Sequence, residues 1–148
     1  MFQKKNIQKI SVIQKKCVRN VANKHFRSHT DPIFSKLNIL KFEDLLKYES
    51  LIFMHNYSYT RLPNCLLNIF TPLKNNQRNG SYLLKKYKGN FMDRFPSVYL
   101  PKIWNHHSKD IRNNIKLSSV KCKLKKDLIS GYNVYEKCDY ERCPDCIV

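Results

Sequence analysis

The sequence predicts a mainly α chain with one small β-hairpin. Three observations carry that expectation. Apolar residues recur at helical spacing in the first, middle and last parts of the chain, while only one pair of short segments reads as strands. Glycine occurs only three times in 148 residues, at Gly80, Gly89 and Gly131. Tight hairpins favour glycine, so a chain built from many of them is excluded, and so is a Gly-rich phosphate loop. Apolar residues make up 42% of the chain, enough for one domain with a modest core.

Residues 3–24 read as an amphipathic helix. At ~100° per residue, Ile7, Ile10, Ile13, Cys17, Val18 and Val21 gather on one side. Lys4, Lys5, Lys9, Lys15, Lys16 and Arg19 gather on the other, with Val12 among the lysines. Thr30-Asp31-Pro32 reads as a helix start, with a cap residue and an early proline, and the helix runs to about Leu37. A longer helix is expected over Lys41–Tyr57, built on Phe42, Leu45, Leu46, Ile52 and Phe53. Glu49 projects into that apolar arc, so covering it requires a cationic partner. Arg61-Leu62-Pro63 breaks the pattern, and a short helical turn follows over Cys65–Phe70. The polar stretch from Pro72 to Gly80 is the best loop candidate.

Tyr82–Tyr87 and Phe91–Leu100 form the expected strand pair, joined around Gly89-Asn90, with Pro96 confining the second to an edge or bulge. Pro101 leads into a compact turn, Lys102–Asn105. A last helix begins near Ser118 or Ser119 and stops at Gly131, with Leu117, Val120, Leu124 and Leu128 as its buried stripe and Lys121, Lys123, Lys125 and Lys126 over much of the rest. The expected organisation is a basic helical domain over 1–132 and a Cys-bearing tail over 133–148.

Charge is the strongest global signal. Twenty-eight Lys and Arg face eleven Asp and Glu, for a formal charge of +17. Such an excess favours a polyanionic partner, nucleic acid first. Coding bias is the competing account, since Lys, Asn, Ile and Tyr are abundant together. The one-signed face of the first helix argues for the polyanion. Lys85, Lys86, Lys88, Lys121 and Lys125 extend the set of candidate phosphate ligands, and Tyr82, Tyr87 and Tyr99 are candidate base-stacking residues whose commoner use is packing.

No secretory h-region and no membrane-length apolar run are present, so no membrane partner is expected. The acid-free first thirty residues slightly resemble a transit peptide, but Lys exceeds Arg and Ser is scarce. Six scattered cysteines point to a reducing, intracellular setting, nucleus or cytoplasm.

Catalytic chemistry is poorly supported. Glu43-Asp44 is the only adjacent carboxylate pair, and its place near a helix start suits the helix dipole better than a metal. His106-His107 reads as surface histidine. Cys143-x-x-Cys146 has zinc spacing, and Cys138 adds a third thiolate, leaving a fourth ligand to come from Cys122 or a histidine. A redox dithiol and an unligated tail are the alternatives. No other cofactor is expected.

Several blocks taken in order resemble a known family. They are Ile13–Arg19, then Ser28-His29-Thr30-Asp31-Pro32-Ile33-Phe34 with Leu37–Asp44, then Tyr99-Leu100-Pro101-Lys102-Ile103-Trp104-Asn105, and finally Asp110-Ile111-Arg112 with Ser118–Lys121 and Leu124–Leu128. Together they resemble the region downstream of the polymerase core in non-LTR retrotransposon (LINE-type, jockey-like) reverse transcriptases, over roughly residues 8–132. The resemblance implies a helical, thumb-like C-terminal extension that holds RNA or DNA and follows an upstream polymerase domain. The catalytic carboxylates of that family lie in the palm. This sequence has no Asp-Asp pair and no Tyr-x-Asp-Asp turn, so the resemblance implies no enzyme activity of its own. Leu100 stands where the family often has Gly. A scaffold segment docking on the polymerase body, and a decayed element fragment, are the alternatives.

Overall fold

The computed structural model describes residues 2–73, 81–84 and 95–132. Its helices are α1 (Phe2–Val21), α2 (Asp31–Lys36), α3 (Phe42–Ser58), α4 (Pro96–His106), α5 (Lys109–Arg112) and α6 (Leu117–Ser130), with a 3-10 turn at Asn64–Leu66. The chain is therefore mainly α. Two compact units divide it. Among the described residues, one combines 2–46 with 125–132, and the other falls within Lys47–Leu124.

In the first unit a small core joins Val18, Ile33, Phe34 and Tyr132, with Ala22, Leu37 and Ile129 against it. Polar ties supplement that core. The Gln14 side chain donates to the Leu40 carbonyl (2.9 Å) and accepts from the Phe42 amide (2.8 Å), the first residue of α3. That amide is one of the donors a helix start leaves unpaired, so Gln14 caps α3 from another helix. Tyr132 donates to Asp44 Oδ2 (2.6 Å) and accepts from the Lys41 amide (3.1 Å). Lys41 Nζ lies 4.3 Å from the Tyr132 ring centre and 2.8 Å from Asp31. Burial, and then the bond to Asp44, push the Tyr132 hydroxyl well above its ordinary pKa, so it stays a donor.

The second unit has a deeper core. Leu51, Met54, Trp104, Ile111, Val120 and Leu124 are each at most 2% exposed, and Tyr57, Phe70 and Tyr82 pack edge-to-face beside them. The Asn105 carboxamide accepts from the Tyr82 amide (2.9 Å) and donates to its carbonyl (2.6 Å), imitating a strand neighbour. Around this point Tyr82 bridges Pro72 antiparallel, with Leu73 N donating to Ser81 O (3.1 Å) and Leu83 N to Thr71 O (2.8 Å).

Several expectations need correction. Pro96–Leu100, expected in a strand, forms the first half of α4, and the expected turn Lys102–Asn105 is helical too. Pro96 occupies the first turn, where its missing N–H costs nothing, after an extended Phe95. Pro101 lies inside the helix and is buried. Tyr82 finds its partner upstream, at Pro72. No strand beyond this bridge occurs among the described residues, while residues 85–94 of the expected hairpin lie outside them. Glu49, expected inside the apolar arc of α3, is exposed. The turn after Pro63 spans Asn64–Leu66 and stops short of Phe70.

Three turns end helices without glycine. Asn23, Asn38 and Thr60 adopt left-handed φ values of 49°, 54° and 52°. Each sits in a Schellman arrangement, with paired bonds Asn23 N to Asn20 O and Lys24 N to Arg19 O, Asn38 N to Ser35 O and Ile39 N to Phe34 O, and Thr60 N to Tyr57 O and Arg61 N to Asn56 O. Gly131, by contrast, ends α6 outside the left-handed region.

Candidate nucleic-acid interface

Helix α1 presents three faces. Ile7, Ser11, Gln14, Val18 and Ala22 form the covered one, with Val18 buried. This stripe is turned by roughly 60° from the arc that hydropathy selects at ~100° per residue. The turn brings Gln14 inward to its two backbone partners. Consequently Ile10, Ile13 and Val21 are exposed, at 44%, 60% and 72%, and Cys17 is exposed beside them.

The third face is cationic. Lys9, Lys15 and Lys16 are exposed along it, and no acidic residue precedes Asp31 in the sequence. Lys4 and Lys5 belong to the same helix by backbone. Arg19 differs from its neighbours, being half-buried, with Nε donating to the Ser28 carbonyl at 2.8 Å. It therefore holds the segment after α1 as well as contributing charge.

That segment is a closed turn. Ser28 N donates to His25 O (3.0 Å), so Phe26 and Arg27 occupy its tip, and Arg27 N donates to His25 Nδ1 (3.3 Å). Phe26 is 68% exposed. The His25 ring centre lies 4.4 Å from that of Phe26, and the Arg27 guanidinium carbon lies 5.2 Å from it. Phe26 is not among the sequence-derived candidates. The signal that could have found it is an aromatic residue inside Lys24-His25-Phe26-Arg27, between the end of one helix and the proline-marked start of the next.

The remaining sequence candidates divide. Lys121 is exposed and Lys125 half-buried on α6, the former in the second unit and the latter in the first. Lys123 pairs with Asp110 at 3.4 Å. Lys85, Lys86 and Lys88 lie outside the described residues, as do Tyr87 and the tail with Cys138, Cys143 and Cys146. Tyr82 is 7% exposed, with its hydroxyl 2.9 Å from Ser58 Oγ, so it is a packing residue and not a base platform. Tyr99 is half-buried on α4. Cys17, Cys65 and Cys122 are free and exposed, and among the described residues no group of three or more His, Cys, Asp or Glu side chains converges on a common point. His106 is exposed at the end of α4, and the His107 ring accepts from the Ser108 amide (3.0 Å).

A cleft of about 310 Å³ lies beside the lysine face, lined by Ser11, Gln14, Lys15, Phe34, Lys41, Glu43 and Asp44. Its walls carry both signs of charge, so it does not extend the cationic surface. No described helix is long and apolar enough to cross a membrane. No protein-family model, curated protein or solved structure matches the chain.

Proposed function

We propose that this chain binds nucleic acid through phosphate contacts, without base-specific readout, as the C-terminal region of a non-LTR retrotransposon reverse transcriptase, and that it has no catalytic site of its own. The observation that carries the binding reading is the lysine face of α1. Lys9, Lys15 and Lys16 stand exposed in a stretch that contains no acid for thirty residues. Lysines so placed release condensed counterions when they meet phosphates, and that release supplies most of the affinity in nonspecific binding. The attribution to a retrotransposon rests on the ordered sequence blocks alone. RNA and DNA both satisfy the chemistry.

The test is a salt titration of RNA and DNA binding by the full chain, compared with a Lys9→Gln, Lys15→Gln, Lys16→Gln variant. Glutamine keeps helix propensity close to that of lysine. Arg19 is left in place because it ties the Ser28 turn. Affinity should fall alike for every sequence, and the slope of log affinity against log salt should shrink by about one for each lysine–phosphate pair removed. An unchanged slope would reduce the face to a solvated surface.

A second reading has its own observation. Ile10, Ile13 and Val21 form an exposed apolar strip on α1. On that reading the helix is a scaffold that docks on a polymerase body. Ile10→Asp with Ile13→Asp would then abolish association with the polymerase domain and leave the salt slope for nucleic acid intact.

A further inference from the structure

We propose that the turn His25–Ser28 is a platform for single-stranded nucleic acid, on which Phe26 stacks against one unpaired base while the α1 lysines hold the flanking phosphates. The inference rests on the phosphate-binding reading above and adds to it the strandedness of the partner and the residue that selects it.

Three features of the turn point this way. The first is exposure, since a phenylalanine 68% exposed at the tip of a closed turn contributes little to the core of its own unit. The second is rigidity. Asn23 reverses the chain in the left-handed region directly after α1, the His25–Ser28 hydrogen bond closes the turn, and Arg19 Nε pins the Ser28 carbonyl at 2.8 Å. An aromatic ring held in place loses little conformational freedom when a base stacks on it. The third is the setting. Arg19 falls within the lysine arc of α1, so its bond to Ser28 draws the turn toward the cationic side of the helix. Lys24 and Arg27 flank the ring in sequence, and the Arg27 guanidinium lies 5.2 Å from the ring centre. An aromatic ring set among cations is the arrangement in which the ring takes a base while the cations around it take the backbone phosphates.

Strandedness follows from the geometry of bases. In a duplex both faces of each base are already stacked, so a single exposed ring reaches only an unpaired or splayed nucleotide. A phosphate-tracking lysine face makes no such distinction. The two parts of the surface therefore separate cleanly in experiment.

Full-length chain is titrated by fluorescence anisotropy against a labelled twelve-nucleotide RNA, the DNA of the same sequence, and a blunt DNA duplex of equal length. Phe26→Leu should weaken binding to the single strands roughly tenfold and leave duplex affinity unchanged. Phe26→Trp should retain single-strand affinity. The emission of a strand carrying 2-aminopurine should change on binding the wild-type chain and not on binding Phe26→Leu. A loss confined to RNA, or to DNA, supports the platform and names its strand. Unchanged single-strand affinity in Phe26→Leu overturns the platform while the salt slope still supports phosphate binding. An equal loss on the duplex also overturns it, assigning Phe26 to the shape of the turn. If the wild-type chain binds none of the three, the phosphate reading fails and the platform falls with it.

Discussion

The two compact units solve the same problem by different means. Lys47–Leu124 closes around fully buried Trp104, Met54 and Leu124, and its stability comes chiefly from apolar surface removed from water. The unit that carries the basic helix has, among the described residues, a smaller apolar cluster of Val18, Ile33, Phe34 and Tyr132, supplemented by directed bonds from Gln14, Arg19 and Tyr132. A lysine face repels itself and adds nothing to a core, so the helix that bears it supplements the packing of Val18 and Ala22 with hydrogen bonds from Gln14 and Arg19. The difference predicts that the second unit is sensitive to lost volume and the first to lost polar atoms.

Trp104→Ala tests the apolar side with the largest effect. Trp104 is 0% exposed, and truncating it removes a buried indole and leaves a cavity. The expected cost is about 3–5 kcal/mol, read from urea denaturation followed by far-ultraviolet circular dichroism. A cost below about 1 kcal/mol would mean that the core does not depend on this residue. Tyr132→Phe tests the polar side. The ring against Phe34 survives, but the donor to Asp44 and the acceptor for the Lys41 amide disappear. A hydrogen bond to a charged partner supports a loss of about 2 kcal/mol in the same assay. If the phenylalanine variant is as stable as wild type, the contrast between the units collapses.

Much of this contrast is legible in the sequence, and the exceptions have physical causes. The helices at Phe2–Val21, Phe42–Ser58 and Leu117–Ser130 follow from apolar periodicity, and the start at Asp31 follows from Pro32 in the first turn, whereas Thr30, expected as a cap, makes no side-chain capping bond. Trp104 as a core residue follows from its being the only Trp, set between apolar Ile103 and polar Asn105 ahead of the last helix. The orientation of α1 does not follow. Hydropathy cannot anticipate that Gln14, a polar residue, turns inward because two backbone groups near α3 need it. Helix α4 reads as a strand in the sequence because Val98, Tyr99 and Leu100 suit strands locally and Pro96 suits an edge as well as a first helical turn. Only burial of Val98, Pro101 and Trp104 along one helix decides between them. Phe26 escapes a sequence reading because exposure at a turn tip has no periodic signature.

A smaller, pH-dependent effect separates the units further. His55 is 0% exposed in the second unit, with Nε2 donating to the Asn114 carbonyl at 2.7 Å and Nδ1 buried without a hydrogen-bond partner. Its ring packs against Tyr59 and the edge of Trp104. Burial is the main reason that its pKa lies below the ordinary value, and the Arg61 charge adds to it. The unfolded chain therefore binds the proton more readily than the folded one. Stability is fully present above the unfolded pKa of about 6.5 and falls as pH drops from there through the folded value. His55→Gln keeps a donor for Asn114 and removes the titration. Denaturation midpoints between about pH 7 and about pH 5 should decline for wild type and flatten in the variant. Equal slopes for the two would show that other groups set the acid response.

The smallest effect concerns how the helices stop. In the first unit the left-handed positions after α1 and α2 are Asn23 and Asn38, a residue type that tolerates this region. In the second unit the position after α3 is Thr60, at φ 52°, whose branched Cβ makes the same conformation costly. Thr60 Oγ1 donates to the Tyr59 carbonyl at 2.8 Å, which offsets part of that cost. Glycine removes the strain but raises the entropy of the unfolded chain, so the two effects oppose each other. Left-handed strain of roughly 1–2 kcal/mol exceeds the entropic term of roughly 0.4–1 kcal/mol. Thr60→Gly should therefore stabilise the chain by about 0.5 kcal/mol, while Asn23→Gly and Asn38→Gly should change it by only a few tenths. Because Thr60 is exposed and its amide bond to Tyr57 is kept, neither packing nor backbone hydrogen bonding at the helix end is altered. A Thr60→Gly variant less stable than wild type would mean that the hydroxyl bond outweighs the backbone strain.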